Sequence, residues 1–210
     1  LANLRFRRLT TFFNVLILAL GIAMIITLLH VSAQLQQRFE GDLKGIDMVV
    51  GAKGSPLQLI LSSVFHLDIP TGNITLADAQ KLQQNPLVRT AIPVALGDSY
   101  QGFRIVGTSH AYIAHYNAAF ATGAVWSAPM QAVLGSEVAK KTGLAVGGSF
   151  SGTHGLTEGG ESHDAPYQIT GIMAPTGTVI DRLILTDVAS VWQVHETHQH
   201  AEMTGSHDSQ

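Results

Sequence analysis

The longest apolar stretch of the chain lies near its beginning. Residues 9–37 contain no Asp, Glu, Lys or Arg, and the next charged residue is Arg38. Within this stretch, residues 12–29 are apolar except for one Asn, one Gly and one Thr. About 20 apolar residues cross the hydrocarbon core of a bilayer as a helix, so this pattern predicts a transmembrane helix over residues 10–31. A buried core helix seldom runs this long without a charge. The run is also longer than a typical signal-peptide core, and no small-residue cleavage site follows it at once.

The charges on either side of this stretch predict its orientation. Three arginines and no acidic residue precede it, whereas the charges that follow it balance each other. Basic residues favour the cytoplasmic side of a membrane, so we expect residues 1–9 to form a cytoplasmic arm and everything after about His30 to lie outside. The residues that carry this prediction are Arg5, Arg7 and Arg8 before the stretch, and Arg38, Glu40, Asp42 and Lys44 after it.

The helix is expected to continue beyond the membrane. Val31, Leu35, Phe39 and Leu43 recur at four-residue spacing, with Gln, Arg and Glu residues between them. This spacing is typical of an amphipathic helix. We therefore predict a stalk over residues 32–46 that continues the transmembrane helix into an outer domain.

The outer part of the chain has the pattern of a mixed α/β domain, so the fold class is α+β. A Thr75–Asp78 capping pattern precedes one predicted helix, and Ser136 and Gly143 flank another as N-cap and C-terminal residue. Gly97–Asp98 is predicted as a turn between two strands, and residues 151–164 as an exposed loop. The predicted helices are Leu76–Gln84, Ser136–Thr142 and a last one from Thr186 or Asp187 to about His195. The predicted strands are Ile46–Val50, Val88–Leu96, Gly102–Val106, Ala132–Leu134, Gly147–Phe150, Tyr167–Met173 and Leu183–Leu185.

The composition excludes several classes of protein. Hydrophobic residues make up 46% of the 210 residues and charged residues 13%, which excludes an intrinsically disordered chain. The formal net charge of −3 argues against electrostatic binding of nucleic acid. The sequence contains no cysteine, so it has no disulfide, thiolate metal site or cysteine nucleophile.

Histidines near the C-terminus are the candidate metal ligands. Four of them lie within the thirteen residues 195–207, and imidazole is the commonest metal ligand in proteins. His195, His198 and His200 could share one zinc ion, because side chains three residues apart on a helix lie on the same face. The zincin pattern does not fit, because Gln199 stands at the position of its second histidine. A solvated tail without metal is the alternative.

Other motifs give little support for catalysis. The segment Gly51–Ser55 lacks the spacing of a phosphate-binding loop and is predicted to be a tight turn before an apolar stretch. Phe rather than Ser stands at the centre of Gly148–Gly152, so this is not a nucleophile elbow. His110 and His115 show no recognisable catalytic spacing. Trp126 and Trp192 are expected in the core or at a subdomain contact. The sequence therefore favours a protein that is not an enzyme.

Several segments are similar to a known family. They are Val133–Lys140, Gly143–Gly148 and Ile169–Met173, together with residues 45–58 and Pro70–Asn73. With the basic arm and single span before them, these residues resemble the FtsX/MacB-type ABC transporter permeases, which carry a MacB-like periplasmic domain. The resemblance extends over nearly the whole chain.

The resemblance implies a domain organisation. It places a periplasmic porter-like part at residues 47–107 and 165–197, interrupted by an inserted subdomain at 108–164. Residues 198–210 would follow as a polar, histidine-rich tail. Family permeases have three further spans, so we expect this chain to be the N-terminal part of such a permease.

The resemblance also implies partners and a location. The permease would form a homodimer in the lipid bilayer of the bacterial inner membrane, with its main domain in the periplasm or cell exterior. ATP would be bound by a separate cytoplasmic ABC ATPase subunit, so no cofactor other than a possible zinc ion is expected in this chain. The implied function is to couple ATP hydrolysis to movement of the periplasmic domain.

Two other functions remain open at the level of the sequence. One is a membrane-tethered metal-binding or sensor module that uses the histidine-rich region, and this is compatible with a transporter that serves metal homeostasis. The other is an anchored periplasmic enzyme, which no motif supports.

Overall fold

The computed structural model describes residues 8–153 and 165–194. The chain forms two compact units, Leu1–Lys44 and Gly45–Gln210. The second unit is called the outer domain below, and each unit is described by itself.

The described part of the first unit contains one long helix, α1, at Arg8–Leu43. Its 36 residues correspond to a length of about 54 Å at 1.5 Å per residue. By length and composition this helix can cross a membrane. The predicted continuity between the apolar stretch and the amphipathic stretch is confirmed, because a single uninterrupted helix contains both.

The helices of the outer domain begin and end at recognisable caps. The Ser55 hydroxyl accepts a hydrogen bond from the Gln58 backbone N–H, and the Thr75 hydroxyl accepts one from that of Asp78. Gly143 ends another helix in the left-handed conformation, as predicted. The helices are α2 at Pro56–Ser63, α3 at Leu76–Gln84, α4 at His110–His115, α5 at Ser136–Thr142 and α6, which is helical over residues 188–194.

Within the described residues, one sheet of seven strands forms the centre of the outer domain. Its order is β1-β2-β7-β4-β6-β3, and β5 pairs with β6. The pairs β2–β7 and β4–β6 are parallel, and the other pairs are antiparallel. The strands are β1 at Val94–Tyr100, β2 at Phe103–Thr108, β3 at Phe120–Gly123, β4 at Gln131–Leu134, β5 at Ser149–Phe150, β6 at Tyr167–Met173 and β7 at Leu183–Asp187.

The sheet has a hydrophobic cluster on each face. Successive residues of a strand point to opposite faces, so Val106 and Leu185 join one cluster while Ile105 and Ile184 join the other. The first cluster also contains Tyr112, Ile113, Trp126, Val133, Met173, Val179, Ile180 and Leu183, and the second also contains Ala132, Leu134, Val138, Phe150, Tyr167, Ile169 and Val194. Because both clusters lie in the outer domain, this domain has a hydrophobic core of its own.

Two strand predictions were wrong. Residues Ile46–Val50 form no strand, and the strand predicted at Val88–Leu96 begins only at Val94 and continues to Tyr100. The predicted turn at Gly97–Asp98 lies inside this strand, where the register with β2 shifts as in a β-bulge.

The hairpin between β1 and β2 turns four residues later than expected. Gln101 and Gly102 both have positive φ, 48° and 80°, while Tyr100 pairs with Phe103. A two-residue loop with positive φ at both positions matches the type I′ turn that suits the twist of a hairpin.

Other predicted elements agree with the structure. The helices Leu76–Gln84 and Ser136–Thr142 and the strand Tyr167–Met173 have the predicted bounds. Gly135 rather than Ser136 occupies the N-cap of α5. Trp126 is buried as expected, whereas Trp192 is 45% exposed and does not belong to the core.

The structure explains why glycine occupies position 135 in the segment Val133–Lys140. Its backbone N–H donates to the Leu183 carbonyl at 2.9 Å, at the end of β4. A Cβ at this position would collide with the carbonyl oxygen of Asp181. Only glycine therefore allows the chain to pass this close to the 3₁₀ turn at Val179–Arg182.

The residues predicted as an inserted subdomain contribute to the common sheet. Strands β3, β4 and β5 all lie within 108–164, and each pairs with β6. The described parts of this range and of the porter-like range thus share one sheet. The division into a porter-like part and an insertion stays a prediction.

Candidate functional site

The histidines predicted to bind metal lie outside the described residues. This applies to His195, His198 and His200; His154 and His163, in the predicted loop 151–164, also lie outside them. Within 8–153 and 165–194, no three His, Cys, Asp or Glu side chains are grouped so that they could hold a metal ion. The zinc site therefore stays a prediction.

The structure brings together a group of rings that sequence analysis did not connect. We call it the imidazole–aromatic cluster, and it consists of His66, Tyr112, His115 and Tyr116. The last three lie on α4 and its C-cap, while His66 comes from the segment that follows α2. Neighbouring ring centroids are 6.1 Å apart for His66–Tyr112, 5.2 Å for Tyr112–Tyr116 and 4.9 Å for His115–Tyr116.

His66 is the buried member of the cluster, and it joins two segments that are distant in the sequence. Its Nε2 lies 2.8 Å from the Tyr112 hydroxyl oxygen, a hydrogen bond between residues 46 positions apart. His66 is only 4% exposed, and it adopts a left-handed backbone conformation with φ of 53°. The other ring nitrogen, Nδ1, has no hydrogen-bond partner among the described residues.

The environment of His66 keeps its imidazole neutral. Burial first, and then the positive charges of Arg104 and Arg182, lower its pKa from 6.5 to about 3. A general acid or base works best when its pKa lies near the working pH, so an imidazole with a pKa of about 3 is poorly suited to that role. Its role is instead that of an uncharged polar contact that holds the segment after α2 against α4.

The segment around α2 is also held together by its own contacts. The Thr71 hydroxyl donates to the Ala52 carbonyl at 3.1 Å, and the Gln58 side-chain amide donates to the Ile69 carbonyl at 3.1 Å. The predicted turn at Gly51–Ser55 thus leads into a helix whose flanking loops are joined to each other. His66 then anchors this folded segment to the sheet domain.

Most exposed large apolar side chains of the outer domain lie in the stretch 48–87. This stretch contains nine of the twelve such residues described in the outer domain, and Leu87 is the most exposed of them at 92%. Only four charged residues occur in it. Concentrated exposed apolar surface marks interaction sites in soluble domains, so this stretch is the candidate contact surface. The nine residues are Met48, Val50, Leu57, Ile60, Leu67, Ile69, Ile74, Leu76 and Leu87.

Buried polar groups elsewhere in the outer domain have structural roles. The Asp181 carboxylate accepts hydrogen bonds from the backbone N–H groups of Thr176 and Gly177, which fixes the loop before β7. The pKa of Tyr167 is raised by burial and by the nearby charge of Asp98, so its hydroxyl stays protonated. The exposed His110 also has a local contact, from its Nε2 to the Trp126 carbonyl at 3.1 Å.

Sequence analysis noted His110 and His115 but found no spacing that joined them to other residues. His66 joins the cluster through Tyr112, which lies 46 positions away in the sequence, and it follows an apolar helix. A weak signal existed in Tyr112 and Tyr116, whose four-residue spacing puts both rings on one helix face.

The chain was compared with known proteins. The family model of the MacB-like periplasmic core domain matches residues 11–206. No curated protein matches the chain.

Two solved structures are similar to it. The periplasmic region of MacB from Actinobacillus actinomycetemcomitans is 12% identical, with a TM-score of 0.46, over 72% of this chain and 72% of that one. A domain from Porphyromonas gingivalis, of a protein named as a permease, is 16% identical with a TM-score of 0.40, over 52% of this chain and 55% of that one.

Proposed function

This chain belongs to the MacB-like periplasmic core domain family of ABC transporter permeases, and from this membership we propose that it transmits movement across the membrane. In this proposal a separate cytoplasmic subunit binds and hydrolyses ATP, and the outer domain moves in response. The family and the apolar helix together indicate a membrane protein with a periplasmic domain. The inner membrane of a bacterium and a homodimeric permease are further parts of the proposal.

The observation that carries this proposal is the continuity of α1. Its length of about 54 Å exceeds the hydrocarbon core of about 30 Å by about 24 Å. The helix contains no proline, so no residue type that sharply kinks helices interrupts it. A stiff element that begins before the membrane and ends at Leu43 can carry a displacement from one side to the other.

The experiment measures movement in the permease reconstituted with its ATPase subunit. A spin label is placed at Ala128→Cys in the outer domain, and residues 1–210 contain no cysteine of their own. Distances between labels on two copies are compared with ADP and with a non-hydrolysable ATP analogue. We expect the distance distribution to change between the two nucleotides. Identical distributions would contradict coupled movement.

The partner subunit is tested separately. The tagged permease is solubilised from its native membrane, and the proteins that copurify are identified by mass spectrometry. We expect a P-loop ATPase in an amount comparable to that of the permease. An abundant permease that carries no ATPase would contradict the transporter assignment.

We also propose that His195, His198 and His200 bind zinc, on the basis of their spacing in the sequence. Zinc titration of the whole chain is compared with that of the variant in which all three are changed to Ala. We expect the tightest binding step to disappear in this variant and to persist in the control Gln199→Ala. Equal zinc affinity of the unmodified chain and of both variants would contradict the proposed metal binding.

A further inference from the structure

Two arginines of the outer domain carry positive charge that no acidic side chain neutralises. Within the described residues the ion pairs are formed by lysines, and neither Arg104 nor Arg182 takes part in one. The Nε atom of Arg104 is also buried without a hydrogen-bond partner. A buried donor on a charged group is costly when it has no acceptor, so this arginine calls for an explanation.

The sheet brings both arginines to the face that carries the first hydrophobic cluster. Arg104 on β2 is the register partner of Leu183 on β7. Its side chain shares a face with that of Val106, two residues further on, which belongs to the first cluster. Arg182 directly precedes Leu183 and is exposed at the end of the 3₁₀ turn. One guanidinium therefore lies partly buried beside the cluster, and the other belongs to the residue next to its strand partner.

His66 lies at the same place. Its hydrogen bond to Tyr112 joins it to a residue of the first cluster, and the charges of both arginines act on its ring. Its Nδ1 atom, like Arg104 Nε, is buried and has no hydrogen-bond partner in the described part of the chain. The imidazole is neutral, so Nδ1 carries the ring proton when the Tyr112 hydroxyl donates to Nε2. In this tautomer two buried N–H groups lack an acceptor close to an exposed guanidinium.

The neighbouring carboxylates are engaged elsewhere. Asp181 precedes Arg182, but its carboxylate accepts hydrogen bonds from two backbone N–H groups of the loop before β7. The charge of Asp98 acts on Tyr167, which belongs to the second cluster on the opposite face of the sheet. The described residues thus supply no acidic oxygen to the two arginines, and an external anion would complete their hydrogen bonds.

We propose that Arg104, Arg182 and His66 bind the phosphate group of a ligand. Arginine presents its N–H groups in a fork that matches phosphate oxygens, and hydrogen bonds to an anion are stronger than those between neutral groups. Two guanidinium charges match the charge of a phosphate monoester, about −1.5 to −2 at neutral pH, better than the single charge of a carboxylate. The neutral imidazole adds an N–H donor without a further charge.

The side chains beside this site favour a phospholipid headgroup over free phosphate as the source of the group. Leu67 and Ile69 follow His66 in the chain, and they are 61% and 66% exposed. Both belong to the candidate contact surface, so apolar groups attached to the phosphate would meet exposed apolar side chains. The site does not depend on coupling to ATP hydrolysis.

Titration calorimetry of the whole chain in an uncharged detergent tests the phosphate site. We expect inorganic phosphate to bind at one saturable site, and acetate, with its single charge, to bind more weakly. Arg182→Gln and Arg104→Gln should each raise the dissociation constant for phosphate at least about tenfold. Arg89→Gln removes the same charge at another exposed position of the outer domain and should leave this constant unchanged.

A short-chain lipid identifies the source of the phosphate. We expect dihexanoyl phosphatidic acid to bind more tightly than inorganic phosphate, and dihexanoylglycerol, which has no phosphate, to bind weakly. Leu67→Ser should reduce the advantage of the lipid and leave the affinity for inorganic phosphate unchanged. Equal affinities for phosphatidic acid and inorganic phosphate would overturn the lipid as the source and support free phosphate at the same site.

Three results would overturn the site itself or its chemistry. Without saturable phosphate binding there is no site, and equal weakening by Arg89→Gln and Arg182→Gln would show only a general effect of charge. Acetate that binds as tightly as phosphate would overturn the assignment to phosphate. Fluorescence of the buried Trp126 shows whether each variant is folded. Because Arg182 is exposed, Arg182→Gln keeps the test decisive even if Arg104→Gln does not fold.

Discussion

His66 shows how one buried side chain can tie the stability of the outer domain to pH. Its pKa of about 3 lies far below the ordinary value of 6.5 because burial and two arginines disfavour the imidazolium ion. The unfolded chain binds a proton at this residue below pH 6.5, and the folded chain does so only near pH 3. The contribution of His66 to the free energy of unfolding therefore decreases as the pH falls from 6.5 to 3, by about 1.4 kcal/mol per pH unit.

The variant His66→Gln tests this dependence. Glutamine does not titrate, so we expect the free energy of unfolding to depend less on pH between 6.5 and 4 than in the unmodified chain. Denaturant unfolding of the solubilised chain, followed by fluorescence of the buried Trp126, measures it. His30→Gln, at an exposed position of α1, should keep the original pH dependence. An unchanged slope in His66→Gln would show that this imidazole is accessible to protons.

The contact of His66 also illustrates what the sequence could not reveal at the level of residues. His66 meets Tyr112 only because the segment after α2 folds back onto α4, and 46 positions separate the two residues. Spacing rules describe neighbours on one helix or strand and carry no information on such contacts. Gly135 is similar, because its close approach to Asp181 depends on two elements that are distant in sequence.

At the level of elements, local chemistry decided which predictions succeeded. The helix at Leu76–Gln84 has a side-chain cap at Thr75, and the strand at Tyr167–Met173 alternates between buried and less buried positions. Both signals lie within a few residues of the element. The predicted position of the β1–β2 turn was wrong because Gly97–Asp98 has the composition of a turn but forms a bulge. The real turn carries Gln101, a residue type that sequence rules do not associate with positive φ.

The strain at this turn leads to a prediction. Asparagine tolerates the left-handed conformation better than glutamine does, and Asn-Gly is the preferred pair for a type I′ turn. We expect Gln101→Asn to raise the free energy of unfolding by up to about 1 kcal/mol. Gln101→Val should lower it, since a β-branched residue fits positive φ poorly. Denaturation midpoints of the two variants measure the effect, and a midpoint for Asn at or below that for Val would refute the turn assignment.

At the level of the whole molecule, the orientation in the membrane follows from a few charges. Arginines precede the apolar run, and no such excess follows it. We expect an impermeant maleimide added to intact cells with a permeabilised outer membrane to label Ala128→Cys and to leave Asn3→Cys unlabelled until the inner membrane is opened. Labelling in the reverse order would invert the topology and would place the outer domain in the cytoplasm.

The stiffness of α1 is the property on which transmission of movement depends, and a single residue can remove it. Proline at position 33 lacks a backbone N–H and clashes with the carbonyl of Leu29, which kinks a helix at a cost of about 3 kcal/mol. The outer domain should stay folded in Ala33→Pro, because both of its hydrophobic clusters lie beyond α1.

We therefore expect Ala33→Pro to lose the nucleotide-dependent change in the distance between Ala128→Cys labels, while Trp126 fluorescence still reports a folded outer domain. Ala33→Ser keeps the helix and should keep the change. If the proline variant moves as far as the serine variant, the outer domain does not depend on a rigid helix, and movement must reach it by another route.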